Sequence, residues 1–244
     1  MFWFETDKTL KQWIADFPES PTPHLAYATM LLKHGTAYRG NGFAKTVKPE
    51  NWKPFQKLIE QARRYLEKAK NIASRDPQWY TLMAEVAVYQ GWPEKQFAFL
   101  LAEAFEKQPL YYDTYFWAVR YYSPRWYGSV AAIETFARNA LKRTRAQEGY
   151  AMYTRIYWAA SQVEFNETLF RESQVNWQKM KRGIDDILNK YPDNWNLNNL
   201  AKFACLAKDK EEAATLLGRI EHPLHRLVWD SPSFFYRCRN WAKT

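Results

Sequence analysis

The chain has 244 residues, enough for one large domain or two small ones whose core needs neither a disulfide framework nor a metal. Hydrophobic residues make up 47% and charged residues 25%, which excludes a disordered or collagen-like chain. The formal charge of +9 keeps acidic partners, anionic lipid surfaces and nucleic acid in view, yet it is dispersed: residues 48–75 mix their cations with Glu50, Glu60 and Glu67.

Helical periodicity runs through the whole chain, and strand-like alternation is nearly absent. The spacing predicts helices over 6–17, 23–38, 50–74, 77–90, 93–107, 110–122, 128–144, 148–163, 168–190, 194–207, 209–219 and 232–241. Proline recurs in first helical turns or just past last ones, where its fixed φ and missing N–H do least harm. Thr6, Thr22 before Pro23, and Asp76 before Pro77 are expected N-caps, and Asn166 or Thr168 is expected to cap the helix over 168–190. In the third helix Phe55, Leu58, Ile59, Ala62, Leu66, Ala69 and Ile72 make one apolar stripe beside a charged face.

Two helix pairs resemble one another. Pro77-Gln-Trp-Tyr-Thr-Leu opens a helix that turns at Gly91-Trp92-Pro93 into a second helix, and Pro109 follows Pro77 by 32 residues. Pro192-Asp-Asn-Trp-Asn-Leu opens a comparable pair that turns at Lys208-Asp209. A period near 34 residues with this punctuation is the tetratricopeptide pattern. The expected fold is therefore all-α, an α-solenoid of degenerate tetratricopeptide-like helix pairs forming a single helical-repeat domain over 1–244.

Three stretches carry a family resemblance. They are Ala37-Tyr38-Arg39-Gly40-Asn41-Gly42-Phe43-Ala44, Pro124-Arg125-Trp126-Tyr127-Gly128-Ser129, and the run from Trp195 to Cys205, WNLNNLAKFAC. Together they resemble an uncharacterised bacterial family, a domain of unknown function with tetratricopeptide-like helices and a P-R-W-G-G-S motif. Tyr127 stands where that motif has glycine. The resemblance implies a helical-repeat fold in a bacterial protein and no reaction.

Within Pro124–Ser129 the proline ends one helix, Gly128 frees the backbone and Ser129 caps the next helix. That leaves Arg125 and Trp126 for packing or for recognition. A guanidinium beside a helix end can pair with an internal carboxylate or hold an external one. Arg39, in its glycine-flanked loop, carries the same two readings. If both arginines lined one concave surface they would define an anionic-ligand site.

Motifs for catalysis are missing. Gly35-x4-Gly40 lacks the Lys-Ser/Thr of a phosphate loop, and Gly40-x-Gly42 has no third glycine. His222 and His225 with Cys205 and Cys238 include zinc-ligand types, but no C-x2-C pair is present. Cys205 reads as a buried, inert thiol, and a bond to Cys238 has no support in the sequence. No metal and no cofactor are expected. Neither a transmembrane segment nor a signal peptide can be read, and two cysteines suit a reducing compartment. The expected location is the cytoplasm, or the periplasm had a signal been removed.

The function expected is that of a non-enzymatic, monomeric module that binds a protein or peptide through a concave aromatic and basic groove. It would act as a scaffold or by neutralising its partner. The candidate binding residues are Tyr38, Arg39, Arg125, Trp126 and Tyr127. Aromatic residues reach 18%, and Trp, Tyr and Arg dominate interaction hot spots. The alternatives are an electrostatic binder of nucleic acid or anionic lipid, and an enzyme with an unrecognised site.

Overall fold

The computed structural model describes residues 2–40, 42–220, 224–229 and 231–244. Asn41 and His222, which enter the phosphate-loop and zinc readings, lie outside the described residues. Among the described residues every regular element is helical. No helix is long and apolar enough to cross a membrane. The chain divides into two compact units, Met1–Tyr121 and Tyr122–Thr244, where the sequence suggests one repeat domain.

The first unit holds α1 (Phe2–Asp16), α2 (Pro21–Arg39), a 3-10 turn (Ala44–Thr46), α3 (Pro49–Lys68), α4 (Lys70–Ala73), α5 (Gln78–Gln90), α6 (Glu94–Lys107) and α7 (Tyr112–Tyr122). Helix α2 packs on α1, α3 and α5, and α3 and α6 also pack on α5. The apolar stripe of α3 is buried at Phe55, Ile59, Ala62 and Leu66, while Glu60, Arg63, Arg64 and Glu67 pair on its outer face. Helix α5 is buried on nearly every side from Trp79 to Val88, so it is the centre of this unit. It ends where Gly91 takes a left-handed φ of 65° and donates its N–H to the Ala87 carbonyl. A side chain there would be strained, so glycine closes the turn.

The second unit contains α8 (Val130–Glu148), α9 (Ala151–Ala160), α10 (Leu169–Glu172), α11 (Trp177–Lys190), α12 (Asn194–Leu206), α13 (Lys210–Gly218) and α14 (Pro232–Lys243). A π-helical turn (Ser161–Phe165) and a 3-10 turn (Asn166–Thr168) follow α9. Helices α8 and α11 pack on α9, α12 packs on α11 and α13, and α14 packs on α13 and α12.

The structure corrects several boundaries. The helix expected over 168–190 is broken at 173–176, because Ser173 turns extended and its Oγ accepts the Val175 N–H at 3.1 Å. Its cap is Asn176, which accepts from Lys179 N at 2.9 Å, and not Asn166 or Thr168. Short polar side chains compete with the helix for backbone partners, and here they win. Thr6 and Thr22 lie inside helices that begin at Phe2 and Pro21. Asp76 does accept the Gln78 N–H at 2.9 Å. The largest correction is covalent. Cys205 of α12 and Cys238 of α14 form a disulfide with Cα atoms 6.0 Å apart, because α14 returns to pack on α12. The inert thiol expected at Cys205 is therefore absent, and both cysteines are withdrawn from metal or nucleophile chemistry.

Candidate functional site

The five residues singled out in the sequence fall into two groups, one in each unit. Tyr38 and Arg39 end α2 in the first unit. Tyr38 is 40% exposed and closes a stack in which the Trp3 and His34 rings lie 4.5 Å apart and the His34 and Tyr38 rings 5.4 Å apart. Burial lowers the His34 pKa, so the stack is neutral near pH 7. Arg39 Nη1 donates to the carbonyls of Gly40 and Gly42 at 3.1 and 3.3 Å, which folds the guanidinium onto its own loop.

Arg125, Trp126 and Tyr127 form the turn that precedes α8 in the second unit. The Ser123 carbonyl accepts from Trp126 N at 3.0 Å and from Gly128 N at 3.2 Å, and Ser129 Oγ caps α8 by accepting from Ala132 N at 3.1 Å. A Cβ on Gly128 would collide with the Tyr122 backbone carbonyl, which explains the glycine in the motif. Arg125 holds Glu164 of the π-helical turn at three points. Its backbone N–H donates to Glu164 Oε2 at 3.1 Å, its Nη2 to the Glu164 carbonyl at 3.2 Å, and its Nε lies 3.3 Å from Oε1. Arg125 thus pairs with an internal carboxylate and fixes an irregular turn, while its side chain stays 44% exposed. Trp126 is half-buried, and Tyr127 is 48% exposed.

A third group lies in the first unit and includes Trp117, one of the many aromatic residues of the helix expected over 110–122. Rings form a ladder across α3, α5 and α7: Trp52 to Phe55 at 5.9 Å, Phe55 to Tyr89 at 5.4 Å and Tyr89 to Trp117 at 5.8 Å, all edge to face. The Arg120 guanidinium ends it, 4.8 Å above Trp117. Phe55 is buried as the floor, whereas Trp52, Tyr89, Trp117 and Arg120 are partly exposed. Edge-to-face ring pairs and a cation–π contact each add about 0.5–1.5 kcal/mol to the helix packing that holds such a ladder. A groove of about 570 Å³ between α3 and the α5–α6 turn is lined by Phe55, Glu60, Arg63, Tyr89 and Gln96.

Beside the ladder lies Glu85, one turn before Tyr89 on α5. It is 3% exposed, and its Oε1 has no hydrogen-bond donor. Burial pushes its carboxyl pKa up, opposed by the charges of Lys33 and Arg120 and by a hydrogen bond from Tyr89. Burial and the Glu85 charge push the Tyr89 phenol up to about 12, against the fields of Arg120 and Arg39. The group therefore draws on α2, α5 and α7 together. A sequence signal for it exists: Glu85 is the single charged residue in the run from Trp79 to Tyr89.

The second unit buries the carboxylates of Glu148 and Glu212. Glu148 receives Lys190 Nζ at 2.8 Å and has Arg155 Nη2 at 3.9 Å, an internal ion-pair arrangement joining the end of α8 to α9 and α11. Glu134 accepts both Tyr153 and Tyr157 hydroxyls, at 2.9 and 2.6 Å, and burial raises both phenol pKa values. Such contacts knit helices together, although Glu148 Oε2, like Glu85 Oε1, is buried without a hydrogen-bond partner. No family model, no curated protein and no solved structure matches the chain.

Proposed function

We propose that the protein is a non-enzymatic helical-repeat module that binds a peptide or protein segment through the α3, α5 and α7 ladder of its first unit. In this reading the helix pairs are degenerate tetratricopeptide-like repeats of an α-solenoid, as in the bacterial family the sequence resembles. The carrying observation is the ladder itself. Trp52, Tyr89, Trp117 and Arg120 present rigid, amphipathic contact area, and these residue types supply most hot-spot energy in interfaces. Tyr38 and Arg39 extend the aromatic and basic surface of this unit at the end of α2. Arg125 supports the fold of the second unit, and Trp126 and Tyr127 are left as secondary contacts. The paired cysteines favour the exported of the two expected locations, since disulfides persist in oxidising compartments.

Selection of a random peptide library on the full chain tests this reading. Enriched peptides should bind wild type and lose at least about tenfold in affinity to Trp117→Ala, the truncation effect of a hot-spot aromatic. Arg125→Ala should leave that affinity unchanged. A selection that enriches nothing, or peptides indifferent to Trp117→Ala, would refute the assignment.

A further inference from the structure

Helices α1 and α3 both pack on α2, and between them lies an open cleft of about 800 Å³ that shares no lining residue with the ladder or its groove. Its floor is Tyr27, Met30, Leu31 and His34, one stripe of α2 at helical spacing. Leu58, Gln61, Tyr65 and Lys68 make the facing stripe of α3. The two ends of the cleft differ. At one end the Trp3 ring of α1 stacks 4.5 Å from neutral His34, with exposed Phe4 beside it. Leu58 reaches this end too, because it lies against Gly35, where a Cβ would stand 3.3 Å from it. At the other end Tyr27 meets Tyr65 edge to face at 4.7 Å, and Lys11 Nζ lies 5.9 Å over the Tyr27 ring. Arg64 and Lys68 flank Tyr65 on α3, so three cations gather here. Asp7 accepts Lys11 at 2.7 Å and Glu60 accepts Arg64 at 2.7 Å, but among the described residues Lys68 is in no ion pair. The excess charge is positive, and exposed pairs such as these exchange readily with another anion.

We propose that this cleft binds a single-chain anionic amphiphile, a medium-chain fatty acid, with its alkyl chain along Leu31, Leu58 and Trp3 and its carboxylate at Lys11 and Lys68. Cavities of about 300–1,000 Å³ with apolar walls and a few convergent polar groups are the usual sites for one small ligand. Segregation of apolar and cationic groups along the cleft fixes the orientation, since the carboxylate meets the cations only when the chain covers the apolar end. A cationic amphiphile would set its head against Lys11, Arg64 and Lys68. The site does not depend on the peptide-binding reading.

Isothermal titration of the full chain with laurate, below its micellar concentration, tests the assignment. Laurate should bind at one equivalent, and affinity should rise severalfold with each pair of methylenes from hexanoate to laurate. Dodecyltrimethylammonium, of equal chain length and opposite charge, should bind about tenfold more weakly or worse. Lys68→Ala should weaken laurate severalfold, the size of an exposed ion pair. Asp7→Asn should strengthen it, because Lys11 loses its internal partner. Gln61→Trp, which fills the cleft from an exposed wall position, should abolish saturable binding. Phosphatidylglycerol vesicles present negative charge on a bilayer and should not sediment the protein. Absence of saturable laurate binding, equal or tighter binding of dodecyltrimethylammonium, or binding unmoved by Lys68→Ala or by Gln61→Trp would overturn the proposal. Weaker laurate binding by Asp7→Asn, or sedimentation with the vesicles that excess laurate does not reverse, would overturn it as well. Circular dichroism of the variants separates lost binding from lost folding, and the two amphiphiles on wild type decide the sign of the charge without any variant.

Discussion

Glu85 and Gly128 show how single residues carry local strain in opposite ways. Burial disfavours the charged form of Glu85, and its folded-state pKa therefore lies above the ordinary value of 4.5. The folded protein then binds its proton up to a higher pH than the unfolded chain does. Its contribution to stability is greatest below the unfolded pKa and declines as pH rises through the folded one. Melting curves from pH 4 to 7 should show Glu85→Gln gaining on wild type as pH increases. A constant offset across that range would contradict the account. Gly128 is needed because the Tyr122 carbonyl occupies the place of a Cβ, so Gly128→Ala should destabilise the second unit by about 1–3 kcal/mol in urea unfolding. At this scale the sequence was partly legible. Ser129 as a cap follows from its place after Gly128, and Glu85 stands out as one charge in an apolar run. That Arg125 would find Glu164, 39 residues away, follows from tertiary packing that no local pattern encodes.

Elements depend on a few polar hubs and one covalent link. Asp209 caps α13 by accepting from Glu212 N at 3.1 Å, and it also receives Trp177 Nε1 at 2.9 Å and Lys181 Nζ at 3.0 Å from α11. Asp209→Ala should cost about 1–3 kcal/mol, and Asp209→Asn less, because the amide oxygen can still cap. Equal losses in the two variants would show that the cap contributes nothing. The disulfide ties α14 to α12 over a separation of 33 residues. Reduction should lower stability by about 2–4 kcal/mol in denaturant titrations, and alkylation without reductant should leave both cysteines unmodified. Helix existence was readable from proline and apolar spacing. The break at 173–176 was not, since Ser173 and Asn176 suit a helix surface as well as a cap until their backbone conformation is known.

The molecule is all-α among its described residues, as its helical periodicity indicates, and it divides into two compact units, Met1–Tyr121 and Tyr122–Thr244. The surplus of aromatic residues has a structural account. Many rings fill cores, as Trp79, Tyr115, Tyr157 and Trp229 do, and a smaller set is stacked across helices while partly exposed. Composition could not separate these sets, because burial depends on which faces of successive helices meet. The proposed binding function concentrates in the first unit, on α3, α5 and α7. Hydrogen exchange with and without a library-selected peptide tests that placement most directly. The account predicts slowed exchange in α5, α7 and the end of α2, with the turn at 123–129 unchanged. Protection confined to the second unit would contradict it.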